Sequence, residues 1–170
     1  MQPRRDAVAD EVNRRMNIQE ECLQILRALH SGGVDYALCG GLAVAIHGFP
    51  RFTQDIDLLI RQDDVEAAKQ AVSSVGFRDE SGLIRLSDDD LVYRVVKIVG
   101  ADHLMLDLVL VTPKLQDVWD ERIQWDLEGL PIRVVSRRGL IKMKRLAGRP
   151  VDLNDLLSLE ANPPPDDRTS

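Results

Sequence analysis

The sequence predicts an α/β (α+β) fold, a single domain on a β-sheet of mixed strand direction. Three observations predict it. Stretches with apolar residues at helical spacing alternate with short apolar runs that read as strands. Two long apolar runs, LVYRVVKIV (91–99) and LMLDLVLV (104–111), flank a Gly100-Ala101-Asp102 turn and read as a hairpin. Hydrophobic residues make up 44% of the 170 residues and charged ones 29%, a composition that supports a buried core.

Each element has its own reason. Residues 1–17 read as a loosely ordered segment, 18–160 as the folded domain and 161–170, Pro-rich and polar, as a disordered tail. Ile18, Cys22, Ile25, Leu26 and Leu29 recur at helical spacing over 16–30, and Ser31-Gly32-Gly33 ends that helix. DYALC (35–39) reads as a short strand, and LAVAIHG as a short buried helix closed by Gly48. Pro50 makes FPRFTQ a loop, and DIDLLI (55–60) is a strand. Asp63 is expected to cap the next helix, with Glu66 as a capping-box partner and Gly76 at its end. Thr112-Pro113 opens a further helix, since proline suits a first helical position. IQWDLEGLPIRVVS reads as a strand pair turning at Glu128-Gly129. Ser136 caps a basic helix, Gly148-Arg149-Pro150 breaks it, and VDLNDLLSLE is the last helix.

Composition narrows the function. No apolar run is as long as the ~18 residues of a membrane span, and the charged N-terminus has no apolar core of a secretory signal, so a cytoplasmic protein with no membrane partner is expected. Cys22 and Cys39 sit among apolar residues without CxxC spacing and read as buried thiols. A net charge of −6 argues against broad nucleic-acid binding. Residues 131–150 nevertheless hold seven Lys/Arg and no acid, either a phosphate-facing surface or a solvated helix face.

The chemistry concentrates in CGGLAVAIHGFPRFTQDIDLLI (39–60). Asp55 and Asp57, two apart on a strand, leave the same face, while Ile56 and Leu58 enter the core. Two adjacent anions resist joint ionisation unless a cation sits between them, and a hard divalent ion takes carboxylate oxygens together with substrate phosphates. Asp107, a lone acid in LMLDLVL, shares that face if its strand neighbours 55–60; three carboxylates are enough for two metal ions. Gly40-Gly41, between a strand and a helix start, lets the backbone approach a phosphate, and the Walker pattern GxxxxGK[ST] is absent.

These residues resemble the signature of the DNA polymerase β-like nucleotidyltransferase superfamily: a GG turn, a short helix, an acid-x-acid strand about fourteen residues on, and a later strand acid. More narrowly, the chain is similar to the AbiEii/AbiGii-type nucleotidyltransferases, many of them toxins of toxin–antitoxin pairs. That family tends to show Arg-x-Thr before the acids, here Arg51 and Thr53. Near its end it shows a lysine and AxRxKDxxD, here Lys144, Ala147, Arg149, Asp152 and Asp155, with Val151 in place of the second lysine. The resemblance implies the nucleotidyltransferase fold, a mixed sheet with helices packed on one side. It also implies transfer of a nucleoside monophosphate from an NTP to a hydroxyl, on an RNA 3′ end, a protein or a small molecule. Asp55, Asp57 and Asp107 would be catalytic residues and metal ligands, for two Mg2+ ions or Mn2+ in their place. Gly40, Gly41, Arg51, Thr53, Lys144 and Arg149 would bind nucleotide, and a cognate antitoxin would be a partner. The alternative is a non-catalytic module of the same fold that binds nucleotide or a partner protein. Degenerate members normally lose one acid, and all three are present here.

Other residues have plainer readings. His47 satisfies nearby carbonyls at its helix end. Arg51 either reaches the triphosphate or pairs with a site aspartate. Asp152 caps the last helix. Trp119 and Trp125 read as core residues, with a stacking platform for a base as the alternative.

Overall fold

A computed structural model of the chain describes residues 16–87 and 90–161. The segment expected to be loosely ordered and the expected tail lie outside these residues, apart from 16, 17 and 161. The described elements are α1 (Ile18–Ser31), β1 (Ala37–Cys39), α2 (Gly40–Ile46), β2 (Asp55–Ile60), α3 (Val65–Ser73), β3 (Asp79–Ser87), β4 (Asp90–Val99), β5 (Asp102–Leu110), α4 (Gln116–Asp120), β6 (Ile123–Leu127), β7 (Leu130–Val134), α5 (Arg137–Ala147) and α6 (Pro150–Ala161).

The seven strands form one sheet in the order β3-β4-β5-β2-β1-β7-β6. Its direction is mixed: β2 runs parallel to β5 and β1 to β7, and the other neighbours are antiparallel. This is the α/β sheet expected. The hairpin of β4 and β5 and that of β6 and β7 form where the apolar runs and turn residues placed them. Glu128 and Gly129 both take positive φ, 52° and 80°, the pair of left-handed residues that a tight hairpin turn requires.

The sheet has two unlike faces because strand side chains alternate. Ile56, Leu58 and Ile60 on β2 stand beside Leu106, Leu108 and Leu110 on β5, all buried. Val95 and Tyr93 on β4 continue that face. Helices α1 and α3 back it: Lys97 of β4 donates to both oxygens of Glu21 on α1, and Lys69 of α3 lies 4.6 Å from the ring centroid of Tyr93. Cys22, Ile25, Leu26 and Leu29 of α1 and Val65, Ala68 and Val72 of α3 fill the core between. The opposite face carries the acids.

Four local expectations change. No capping box forms at Asp63: residues Gln62–Asp64 make a 3-10 turn, the helix starts at Val65, and Glu66 instead accepts from Lys69 Nζ. The sequence pattern did not mark β3, an edge strand with exposed Leu83 and Leu86 and a register shift beside Gly82, because one-sided pairing leaves no clean apolar alternation. Trp119 is buried with the Arg122 guanidinium 3.6 Å from its ring centroid, whereas Trp125 is 43% exposed on edge strand β6. His47 bonds Val135 O at 2.9 Å, 88 residues away, and so ties the end of α2 to the chain leaving β7.

Helix α5 starts as expected: Ser136 Oγ accepts from Gly139 N–H at 3.1 Å. Gly139 is required there, since a Cβ would stand 2.8 Å from Val135 Cγ1 and 2.9 Å from Val118 Cγ1. Ser136→Ala is expected to lower stability by about 1 kcal/mol, a fall in Tm of roughly 2–4 °C, read by urea and thermal unfolding.

Candidate active site

Register sets the site. Cys39 of β1 faces Asp57 of β2, Asp57 faces Asp107 of β5, and Asp107 faces Arg94 of β4. Arg94, Asp107, Asp57 and Cys39 therefore form one row across four strands on the face away from α1 and α3. Asp55 stands one step along β2, beside Met105. The structure thus brings the three acids expected from sequence onto one face, two of them on directly paired residues.

The three are in different electrostatic states. Burial, then the charges of Asp107 and Asp55, push the Asp57 carboxyl up to about 7. Asp55 is raised by burial and by Asp107, and its Oδ1 is buried with no hydrogen-bond partner among the described residues. Asp107 gives both oxygens to the guanidinium of Arg94, which donates from Nε and Nη2 at 2.8 Å each. Among the described residues no three acids, histidines or cysteines are disposed as a preformed metal cage. A three-ligand site shared by Asp55, Asp57 and Asp107 is therefore not formed here, because Asp107 is turned to Arg94. Asp55 and Asp57 do fit a hard divalent cation, which would supply the partner that the orphaned oxygen lacks and relieve their mutual repulsion.

The glycine pair is cut to this site. A Cβ on Gly40 would stand 2.7 Å from Asp57 Cγ and 2.9 Å from its Cβ, and Gly40 also holds φ +63°. A Cβ on Gly41 would stand 2.8 Å from Thr53 Oγ1 and 3.0 Å from Arg51 Nη1. Glycine at both positions is thus imposed by residues of the same motif, and the costly backbone freedom has a local cause.

A chain of charges closes one side. Arg51 donates to Asp155 from Nε and Nη2, both at 2.7 Å. Lys144 Nζ lies 2.6 Å from Asp155 Oδ2 and 3.3 Å from Asp152 Oδ1. Arg149 Nε donates to Asp152 Oδ2 at 2.9 Å. Burial opposes ionisation of both acids, but Arg51 and Lys144 hold Asp155, and Arg149 and Lys144 hold Asp152, below the usual carboxylate range. Arg51 thus takes the acid-pairing alternative. Asp152 is the third residue of α6, not its cap, and accepts from the N–H of Arg149 just before the helix. Lys144 is buried between two carboxylates and presents no open ammonium. Arg149 keeps a 63% exposed side chain while its charge favours the ionised forms of Asp55, Asp57 and Asp90. Thr53 Oγ1 donates to Asp55 O at 3.4 Å.

Arg94 was not marked by sequence reasoning. Its signal was a lone arginine in LVYRVVKIV, which acquires meaning only through the β4–β5 register. A groove of about 800 Å3 opens between α4, α5 and the end of α6, among Val118, Ile141, Lys142 and Leu146, and holds none of these residues.

Comparison with known proteins follows this geometry. A family model described as "Uncharacterised nucleotidyltransferase" matches residues 4–141, a span that includes Asp55, Asp57, Arg94 and Asp107 and ends before Lys144. The search of curated proteins returned no match. Among solved structures, the chain is similar to ANT(2″)-Ia in complex with adenylyl-2″-tobramycin, with TM-score 0.55 and 17% identity over 83% of this chain and 87% of that one. It is similar to a Thermotoga maritima protein assigned as a nucleotidyltransferase, with TM-score 0.54 and 18% identity over 85% and 95% of the two chains. It is also similar to the Megavirus polyadenylate synthase, with TM-score 0.52 and 13% identity over 92% of this chain and 34% of that one. At these identities the likeness is one of fold, and the fold is that of nucleotidyltransferases.

The raised Asp57 gives a pH test. Its folded pKa of about 7 exceeds the unfolded value near 4, so between those values the native state binds more protons and stability falls as pH rises. In chelator-treated buffer the wild type is expected to lose stability from pH 4 to 7 and then level off, by about 1.4 kcal/mol per pKa unit of the shift. Asp57→Asn should flatten that decline and melt higher than wild type at pH 8. Parallel melting profiles for the two proteins would contradict the assignment.

Proposed function

The chain belongs to this nucleotidyltransferase family, and from that premise we propose that it moves a nucleoside monophosphate from an NTP to a hydroxyl acceptor with the help of a divalent cation held by Asp55 and Asp57. One observation carries the proposal: two acids share a face of a buried strand, Asp55 has a buried oxygen with no hydrogen-bond partner among the described residues, and Gly40 has no room for a side chain beside Asp57.

The residues divide the work. The cation, Mg2+ or Mn2+, would neutralise triphosphate charge and polarise the phosphoryl group under attack. Gly40 and Gly41, where α2 starts without side chains, would let the backbone come close to the phosphates. Arg149, exposed beside the acids, binds the triphosphate through its guanidinium. Arg51 and Lys144 act on the nucleotide at one remove: through Asp155 and Asp152 they fix α5 and α6, and with them Arg149, against the acid strand. Asp107 takes the proton of the attacking hydroxyl once its oxygens are free, a role worth roughly 10²–10⁴ in rate. Orientation of the nucleotide against the acceptor supplies much of the remainder.

The acceptor and the biological role are finer parts of the same proposal. An RNA 3′ end is supported by the basic surface of α5, where the Arg138 side chain is 82% exposed, and a protein hydroxyl or a small molecule is the alternative acceptor. The toxin role, with a cognate antitoxin as partner, is supported by the Arg51-x-Thr53 and Ala147-to-Asp155 motifs. Among the described residues no helix is long and apolar enough to cross a membrane.

The test is incubation of the purified chain with each α-labelled NTP, Mg2+ and total cellular RNA or lysate. Label is expected in an acceptor band, and nuclease or protease sensitivity of that band identifies its class. Asp57→Ala is expected to lower labelling by at least about 10²-fold, the scale of losing a key electrostatic group. Arg149→Ala should raise the KM for NTP by roughly tenfold, the loss of one charge-assisted phosphate contact, and it should also lower the melting temperature, since it leaves buried Asp152 to Lys144 and a backbone N–H. No label with any NTP contradicts the proposed function.

A further inference from the structure

Asp107 already has a cation. The Arg94 guanidinium meets both of its oxygens in a parallel fork at 2.8 Å, and the two residues are direct partners across β4 and β5. The pair is sheltered, with side chains 30% and 10% exposed. A fork of this kind is among the strongest neutralising contacts a carboxylate makes. A divalent ion arriving at the same carboxylate would add two positive charges beside an existing one, in a setting where such repulsion is poorly screened. Metal and guanidinium therefore compete for Asp107, whereas the buried Oδ1 of Asp55 has no hydrogen-bond partner among the described residues and so no donor for a metal to displace.

We propose that Arg94 is a positioning residue, a resident counter-ion that a divalent cation must displace from Asp107, and that the displaced guanidinium then turns to the nucleotide phosphates. This rests on the reading of Asp55 and Asp57 as the cation site. It assigns Arg94 a second partner because a guanidinium expelled from a carboxylate in a sheltered cleft needs another anion, and the triphosphate is the anion that enters with the metal. Metal and nucleotide binding are then coupled: each lowers the cost of releasing Arg94 for the other, and the coupling is reciprocal. Without nucleotide, Arg94 holds Asp107 away from the metal, so the proton-accepting acid becomes available only in the loaded site.

The experiment is Mn2+ titration followed by electron paramagnetic resonance. It is run on wild type, Arg94→Gln, Arg94→Lys and Asp57→Asn, each with and without the α,β-methylene analogue of the NTP that labels best. Without nucleotide, Arg94→Gln is expected to bind Mn2+ about tenfold tighter than wild type, since it removes a competing cation. The analogue should tighten Mn2+ binding in wild type and do so much less in Arg94→Gln. Arg94→Lys, with charge but no fork, should fall between the two. It carries the test alone if Arg94→Gln does not fold, with about threefold tighter binding expected. Mn2+ affinity in the Arg94 variants equal to or weaker than wild type without nucleotide would overturn the inference while leaving the metal reading intact. Wild-type Mn2+ binding that survives in Asp57→Asn, or no binding in wild type with or without the analogue, would overturn the metal reading and this inference with it.

Discussion

Burial of three carboxylates on one sheet face, with Asp107 set against both Asp57 and Asp55, is the constraint on which the rest of the site depends. Alternation along β2 puts Ile56 and Leu58 into the core and leaves the two acids together on the other face. Burial then makes their joint ionisation expensive, and Asp107 on the paired strand adds a third like charge. The protein offsets part of that cost in two ways: Arg94 neutralises Asp107, and Lys144 and Arg149 bias Asp57 toward its charged form; the buried Asp55 Oδ1, without a hydrogen-bond partner among the described residues, leaves the rest unmet. A domain selected only for stability gains nothing from this arrangement. A site that takes in a cation and a polyphosphate recovers the cost when both are bound.

The scaffold follows from holding that strand still. Asp57 needs a neighbour without a side chain, so β1 passes into α2 through Gly40 at φ +63°; Thr53 and Arg51 need the same of Gly41. The loop that supplies Arg51 and Thr53 is fastened to α6 by the fork to Asp155, and α6 to α5 by Lys144. The two C-terminal helices are thereby tied to the acid strand by charge. The inward face of α6 is largely acidic, with Asp152 and Asp155 buried beside Leu159, while Leu153 and Leu157 point outward. Removing a single partner from such a buried network generally costs more than the network contributes to stability. That asymmetry ties the shape of the cleft to a few charged side chains.

Much of this was legible in the sequence, and the boundary of what was not has physical causes. Acids inside apolar strands and paired glycines violate local preference, so Asp55, Asp57, Asp107, Gly40 and Gly41 stand out before any fold is known. The β4–β5 and β6–β7 hairpins declare themselves through apolar runs and turn residues. Arg94 does not, because an arginine in a half-buried strand is ordinary until register places it opposite Asp107. Lys144 looked like an open phosphate contact for a similar reason: its partners lie eight and eleven positions on, across the break at Gly148, and only the packing of α5 on α6 encloses it. Edge strand β3 escaped notice because half of its backbone and several of its apolar side chains face solvent.

The measurement that bears most directly on this account is a crystal structure of the chain with Mn2+ and the methylene NTP analogue, with data collected for manganese anomalous scattering. The account predicts an anomalous peak within bonding distance, ~2.1–2.3 Å, of carboxylate oxygens from both Asp55 and Asp57, with the analogue's phosphates on the same ion. An ordered analogue bound elsewhere, or manganese that leaves Asp55 and Asp57 without a metal contact, would contradict it.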